Sequence, residues 1–269
     1  MNPRLPLIVL VATVAAIAAA AFFARKTRAV PPRPMPAALA EEVDRLRVLR
    51  RAAPAMPAGG VGHADYAKRL DRVRAAEELL PLEDVVLDRR EDAMLRVDLL
   101  AAIAARPGEP ARLLCARLAS DPEEPTSVRL AALSGLRAYR DPHTFDVLRR
   151  LWESPLPFEG RYQICVALGE CGQPGAIPLL REALGTSQLP DVRAHAALAL
   201  GAFPELLEDL IRLSKADAQL AVRENALRAL ARSPSAEAER ALRESDLKPL
   251  SEALLKERAT SSPPERKAR

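Results

Sequence analysis

The side chains able to do chemistry are few and scattered. The three histidines, His63, His143 and His195, are far apart in sequence, with no His-x-x-x-His or His-Glu spacing of the kind that places two ligands on one helical face. The three cysteines are Cys115, Cys165 and Cys171. An odd number cannot pair fully within the chain, and the Cys165–Cys171 spacing fits none of the usual zinc patterns. Cys115 and Cys165 fall on apolar helical faces and read as small buried hydrophobes. The adjacent carboxylates Glu123 and Glu124 lie between prolines in an expected turn and are expected to be solvated, unlike a buried acid–base couple. No phosphate-cradling glycine loop and no Gly-x-Ser-x-Gly elbow occurs. No catalytic, metal or cofactor-binding residue is therefore assigned. The chain is expected to be a non-enzyme without a cofactor.

What does recur is an arginine. Arg96, Arg129, Arg161, Arg193 and Arg223 follow one another at intervals of 33, 32, 32 and 30 residues. Each opens an apolar, alanine-rich run, and seven residues later stands Ile103, Leu136, Leu168, Leu200 or Leu230. Near-constant repeats with apolar residues at helical spacing predict an all-α fold, an α-solenoid of about five helix pairs. Composition agrees: hydrophobic residues make up 49% and aromatics 3%, so the core is alanine and leucine, suited to closely packed helices. Proline-bearing breaks separate the helices of each pair, and second helices are expected to start near Pro110, Pro142, Pro174, Pro204 and Ser235. Proline suits a first helical turn, where its missing N–H would have had no partner.

The sequence pI of about 9.2 raises the question of nucleic acid, so the charge has to be placed. Residues 91–250 hold 20 Lys/Arg and 23 Asp/Glu, whereas residues 1–90 hold 15 and 10. The repeats are slightly acidic, which disfavours a phosphate-tracking groove.

Leu5–Ala24 carries no charge, and 20 residues at about 1.5 Å each match a bilayer core of about 30 Å. Residues 1–24 are read as a transmembrane anchor, with a cleaved signal peptide as the alternative. The basic flank Arg25, Lys26, Arg28 and Arg33 places the repeats on the cytoplasmic side of a single-pass membrane protein; an exported, periplasmic domain is the alternative. Residues 25–36 form a basic, proline-rich linker, 37–90 a helical cap region, 91–246 the five repeats, 247–258 a capping helix and 259–269 a disordered tail.

Asp191-Val192-Arg193 with Ala196-Ala197-Leu198-Ala199-Leu200-Gly201, and Gly175-Ala176-Ile177-Pro178-Leu179-Leu180, resemble HEAT repeats, in particular the short HEAT-like repeats of the phycobilin-lyase type. The resemblance covers about 160 residues, is sharpest in repeats three and four, and implies the fold; such repeats host unrelated activities. It also implies a structural role for Arg96, Arg129, Arg161, Arg193 and Arg223. In the family this arginine contacts the neighbouring acidic turn and ties repeats together, and Asp191 with Arg193, or Asp92 with Arg96, offers that chemistry. The family further implies that the second helices line the concave face.

On those second helices Arg149, Arg150, Arg181, Glu205, Glu208 and Arg212 present mixed charge, better suited to a protein than to nucleic acid. Five of nine aromatics lie between residues 139 and 162. Trp152 and Phe158 are core residues on one reading and anchors for a partner on the other. The expected function is a membrane-tethered scaffold that binds an unidentified protein. The alternatives are a nucleic-acid protein with a DNA glycosylase-like fold, or a lyase-like accessory protein.

Overall fold

The computed structural model describes residues 34–52, 61–154, 156, 158–186 and 189–261. Every regular element among them is helical. Two helices, α1 (Ala37–Ala52) and α2 (Val61–Ala75), form a leading hairpin. A 3-10 turn at Leu80–Leu82 and the short α3 (Glu83–Leu87) lead into the repeats. The five arginine-bearing helices are α4 (Ala93–Ala104), α6 (Thr126–Leu136), α8 (Phe158–Cys171), α10 (Pro190–Leu200) and α12 (Leu220–Arg232). Between them run α5 (Glu109–Ser120), α7 (Pro142–Glu153), α9 (Ala176–Thr186), α11 (Leu207–Ala216) and α13 (Ala236–Glu244), and α14 (Lys248–Ser261) closes the described chain.

The α1 stripe Leu39, Val43 and Leu46 is buried, as are Leu70 and Val73 of α2. The hairpin is fixed to α4 and to the turn before it by polar contacts. Arg47 donates to Glu91 at 2.8 Å, and the Tyr66 hydroxyl donates to Asp98 at 2.6 Å.

The packing frames the helix pairs differently from the sequence reading. Each of α5, α9 and α11 lies more extensively against the arginine helix that follows it than against the one before. The structural pairs are therefore α5–α6, α7–α8, α9–α10 and α11–α12, while α13 lies equally against α12 and α14. The arginine helices also stack on one another, while α5, α7, α9, α11 and α13 meet each other only sparsely.

Small residues make the close stacking possible. A Cβ on Gly169 would lie 2.8 Å from the Ala199 Cβ and 2.9 Å from its Cα. One on Gly201 would lie 2.7 Å from the Ala229 Cβ, and one on Gly135 would lie 3.0 Å from the Ala104 Cβ. A two-layer stack whose layers differ in spacing bends toward the closer-spaced layer. The arginine helices thus form the inner layer and the other row the outer layer, the reverse of the concave face expected from the sequence.

The membrane placement is corrected. Among the described residues no helix is long and apolar enough to cross a membrane. The longest, α1, has 16 residues, about 24 Å against a bilayer core of about 30 Å, and carries charge throughout. The run Leu5–Ala24 lies outside the described residues, as does the anchor assigned to it. A single-pass membrane protein with cytoplasmic repeats is not supported.

Candidate binding groove

The inner layer is held by the recurring arginine. At full strength each guanidinium reaches two places: a carbonyl at the end of the helix before it, and a carboxylate in the turn that follows the next outer helix. Arg96 donates to Val86 O at 2.7 Å and to Glu124 at 2.6 Å. Arg193 donates to Leu184 O at 2.9 Å and to Asp217 at 2.6 Å. Arg223 donates to Ser214 O at 3.2 Å and pairs with Asp246. The arrangement satisfies orphan C-terminal carbonyls and links successive pairs.

The local acids do something else. Asp92 caps α4, accepting from the amides of Met94 and Leu95 at 3.0 and 2.9 Å, and pairs with Arg50. Burial opposes its ionisation, but those amides and the Arg50 guanidinium outweigh it and hold the carboxyl below its usual range. Asp191 is exposed, and its backbone carbonyl accepts from His195 Nδ1 at 2.7 Å.

The clasp is incomplete in the middle. Arg129 reaches the Ala119 carbonyl at 3.2 Å and makes no ion pair among the described residues. The guanidinium of Arg161 lies 5.1 Å from the centre of the Trp152 ring. In sequence, the stretches that correspond to those of Glu124 and Asp217 read Ser154-Pro155-Leu156-Pro157 and Thr186-Ser187-Gln188-Leu189, without an acid.

Trp152 is 6% exposed and belongs to the core, covered by Arg161. The Phe158 side chain lies outside what the structure describes. Tyr139 ties a turn, its hydroxyl donating to Gly108 O at 3.0 Å while accepting from Gly108 N at 3.1 Å. On the outer layer Arg149 pairs with Glu153, and Arg150 donates to the Asp146 carbonyl. Arg181 and Arg212 both pair with Asp209, at 2.9 and 2.6 Å. Glu205 and Glu208 are exposed near the start of α11. Most of the outer arginine charge is thus answered within the chain.

The inner layer carries an open groove of about 710 Å³ at the C-terminal ends of its helices. Val166, Gly169, Leu198, Ala199 and Ala202 give it an apolar floor. Arg137, Arg140, Glu170, His195 and Arg232 give it a polar margin. Arg137 and Glu170 pair in fork-to-fork fashion, with both contacts at 2.6 Å. His195 stacks on Tyr162 with ring centres 4.7 Å apart. Because its Nδ1 donates to a carbonyl, Nε2 is the ring nitrogen left free when the ring is neutral.

Cys171 also lines the groove but is buried, which pushes its thiol up. Burial pushes Cys115 and Cys165 to about 12, so these thiols stay protonated at neutral pH. Among the described residues no three His, Cys, Asp or Glu side chains come together as a metal-binding group.

Sequence reasoning missed this groove. Its signal was present: Val166 and Leu198 stand five residues after their arginine, and Ala202 and Arg232 nine after theirs. On a helix those positions share one face.

Residues 111–201 match the family model for HEAT repeats. Residues 111–201 are HEAT repeats. The match starts in α5 and ends just after α10, spanning the three structural pairs α5–α6, α7–α8 and α9–α10. The chain is similar to a solved structure, the complex of CpcE and CpcF of phycocyanin lyase from Nostoc sp. PCC7120. The TM-score is 0.51 at 19% identity, over 88% of this chain and 94% of that one. That likeness shows the fold, in line with the resemblance seen in sequence. Human deoxyhypusine hydroxylase in complex with glycerol is 16% identical over 83% of this chain and 96% of that one, at a TM-score of 0.33, too low to carry weight. No curated protein matches the sequence.

Proposed function

We infer that this HEAT-repeat chain is a binding module that receives a segment of another protein along its inner layer. The observation that carries this is the groove of about 710 Å³, which joins an apolar floor to a charged margin on four successive inner helices. Binding sites of this size bury apolar surface and use a few polar groups to set orientation. A curved stack offers an extended surface without moving parts. The outer layer, where the sequence first pointed, has most of its arginines neutralised internally, so it offers a partner less uncommitted charge. The solved structure it resembles is itself a complex of two proteins, which fits a partner-binding role.

The test is photo-crosslinking in the producing cell. A photoreactive amino acid replaces Ala202 in the groove or, as the comparison, Arg149 on the outer layer. Both side chains are exposed, so both variants are expected to fold. The expected result is a discrete adduct from position 202 and none from 149. Adducts from 149 alone would move the binding face to the outer layer and defeat the inference.

A lyase-type accessory role is the second reading, favoured by the extent of the likeness to the phycocyanin lyase complex. A pigment carried by the purified protein, or a change in a partner's absorption, would support it.

A further inference from the structure

We propose that the groove recognises an acidic, extended segment of the partner protein, with carboxylates held by Arg140 and Arg232. This rests on the inner-layer reading above and names the chemistry of the partner.

The argument begins with a contrast in charge. Residues 91–250 carry three more acids than bases, yet the groove margin has three arginines and one carboxylate. Glu170 is committed to Arg137. Arg140 and Arg232 are exposed and have no carboxylate partner among the described residues. Other exposed arginines, Arg117 and Arg240 among them, also lack a carboxylate, but of the three arginines that line the groove only Arg137 is paired.

Helix C-termini are partly negative and account for some basic residues placed near them. Here a carbonyl in the last turn of each of α8, α10 and α12 is already bonded by a turn amide: Gly172 N to Leu168 O, Phe203 N to Leu200 O and Ser233 N to Leu230 O. The two guanidiniums remain the groove's uncommitted charge. Their planar forks match carboxylates bidentately.

Spacing sets the length of the occupant. Arg140 follows α6 and Arg232 ends α12, three inner-helix steps away. At about 8–10 Å per step the two are separated by roughly 24–30 Å. An extended chain covers that with about eight residues at 3.3–3.6 Å each. Between them lie Val166, Leu198 and Ala202, a floor for small apolar side chains rather than for bases: among the described residues the one ring in the lining is His195, which is already stacked on Tyr162. Two free cations are also few for a polyphosphate, which is tracked by many.

The probe is a fluorescein-labelled peptide, about twelve residues long, with glutamate pairs at both ends and leucine and valine between. Its controls are the same peptide with glutamines, the same with lysines, and an oligo-dT strand. Anisotropy is measured on the whole chain. The glutamate peptide is expected to bind at least about tenfold more tightly than the glutamine peptide and to weaken as salt rises. The double variant Arg140→Gln/Arg232→Gln is expected to erase that tenfold preference, so that the glutamate and glutamine peptides bind it equally. Both residues are exposed, so the variant is expected to keep its fold, checked by circular dichroism. Equal binding of the glutamate and glutamine peptides, lost in Val166→Arg, would overturn the acidic partner and leave the inner groove standing. No peptide binding at all would overturn both. Tighter binding of oligo-dT would overturn the proposal in favour of nucleic acid.

Discussion

Arg137 and Gly169 occupy the same register position, eight residues after the arginine of their helix, and do opposite things. Gly169 lets α8 close onto Ala199 of α10, as Gly201 lets α10 close onto Ala229 of α12. Arg137 holds α6 further from α8 and spends its guanidinium on Glu170. The same stretch has the incomplete clasps of Arg129 and Arg161. The chain is thus tightly stacked and fully clasped toward its C-terminus, fully clasped at Arg96, and looser between α6 and α8. One inner seam carries an arginine where its neighbours carry glycine, and the groove begins at that seam. A repeat protein can tune single interfaces this way because each repeat touches only its neighbours.

The largest effect that can break this comparison concerns the arginines themselves. Arg96 is 1% exposed and Glu124 6%. Arg96→Met strands a buried carboxylate, and losing one partner of a buried pair costs about 3–5 kcal/mol. Arg89, 3.3 Å from the other oxygen of Glu124, keeps part of that charge answered, so about 3 kcal/mol is expected. Arg129→Met removes one carbonyl contact and no ion pair, and the expected loss is about 1 kcal/mol. Urea denaturation of the two variants gives both numbers. Equal losses would end the distinction between clasped and open repeats. Adding Glu124→Met to Arg96→Met should recover much of the stability.

Next comes one substitution placed at one register position in three seams. Gly169→Val and Gly201→Val drive a side chain into Ala199 and Ala229, backbone included, and overpacking of this kind costs about 1–3 kcal/mol. Arg137→Val has room and loses a half-exposed ion pair, worth up to about 1 kcal/mol. The thermal midpoints should therefore fall in the two glycine variants and hardly move in the arginine one. A fall of the same size at 137 would mean that this seam is as tight as the others.

How much of this was legible in the sequence varies with the range of the physics involved. Helices and their breaks were, because alanine–leucine periodicity and proline act locally. The pairing frame was not: a periodic pattern can be cut at either turn, and only packing shows that α5 belongs with α6. Asp191 and Arg193 looked like partners because they are adjacent. Residues two apart on a helix point to different faces, and Arg193 finds Asp217 instead. Asp92 has a suitable spacing to Arg96, but its carboxylate is turned to the free amides of the α4 N-terminus. The groove was hidden because its floor is alanine, valine and glycine, residues with no chemistry to notice one at a time.

A smaller test uses a feature that both regions share. Asp141 caps α7 in the loose middle, accepting from Thr144 N at 3.0 Å and from its hydroxyl at 2.8 Å. Burial works against its ionisation, but the Thr144 bonds outweigh it and hold the carboxyl below the usual range. A depressed carboxylate contributes stability that is fully present above its unfolded value of about 3.9 and is lost as pH falls through the folded one. Asp141→Ala should cost about 1 kcal/mol at neutral pH, the usual worth of such a cap. The gap between wild type and variant should narrow as pH falls below about 4. A gap that stays constant down to pH 2 would show that the carboxylate charge contributes nothing there.

The smallest expected effect would close one open clasp. Glu124 stands five residues before Arg129, and Asp217 six before Arg223. Gln188 holds the corresponding place before Arg193. Gln188→Glu supplies the carboxylate that Arg161 lacks, and a pair formed at the edge of the stack contributes at most about 1 kcal/mol. The sign carries the information. A new pair competes with the cation–π contact that Arg161 already makes with the Trp152 ring, worth about 0.5–2 kcal/mol. A gain measured by denaturation and lost in 0.5 M salt would mean that the clasp was the only thing missing. No gain, together with unchanged tryptophan fluorescence, would mean that the ring holds Arg161 as firmly as a carboxylate would. In that case the middle repeats are clasped too, by an aromatic face rather than an acid.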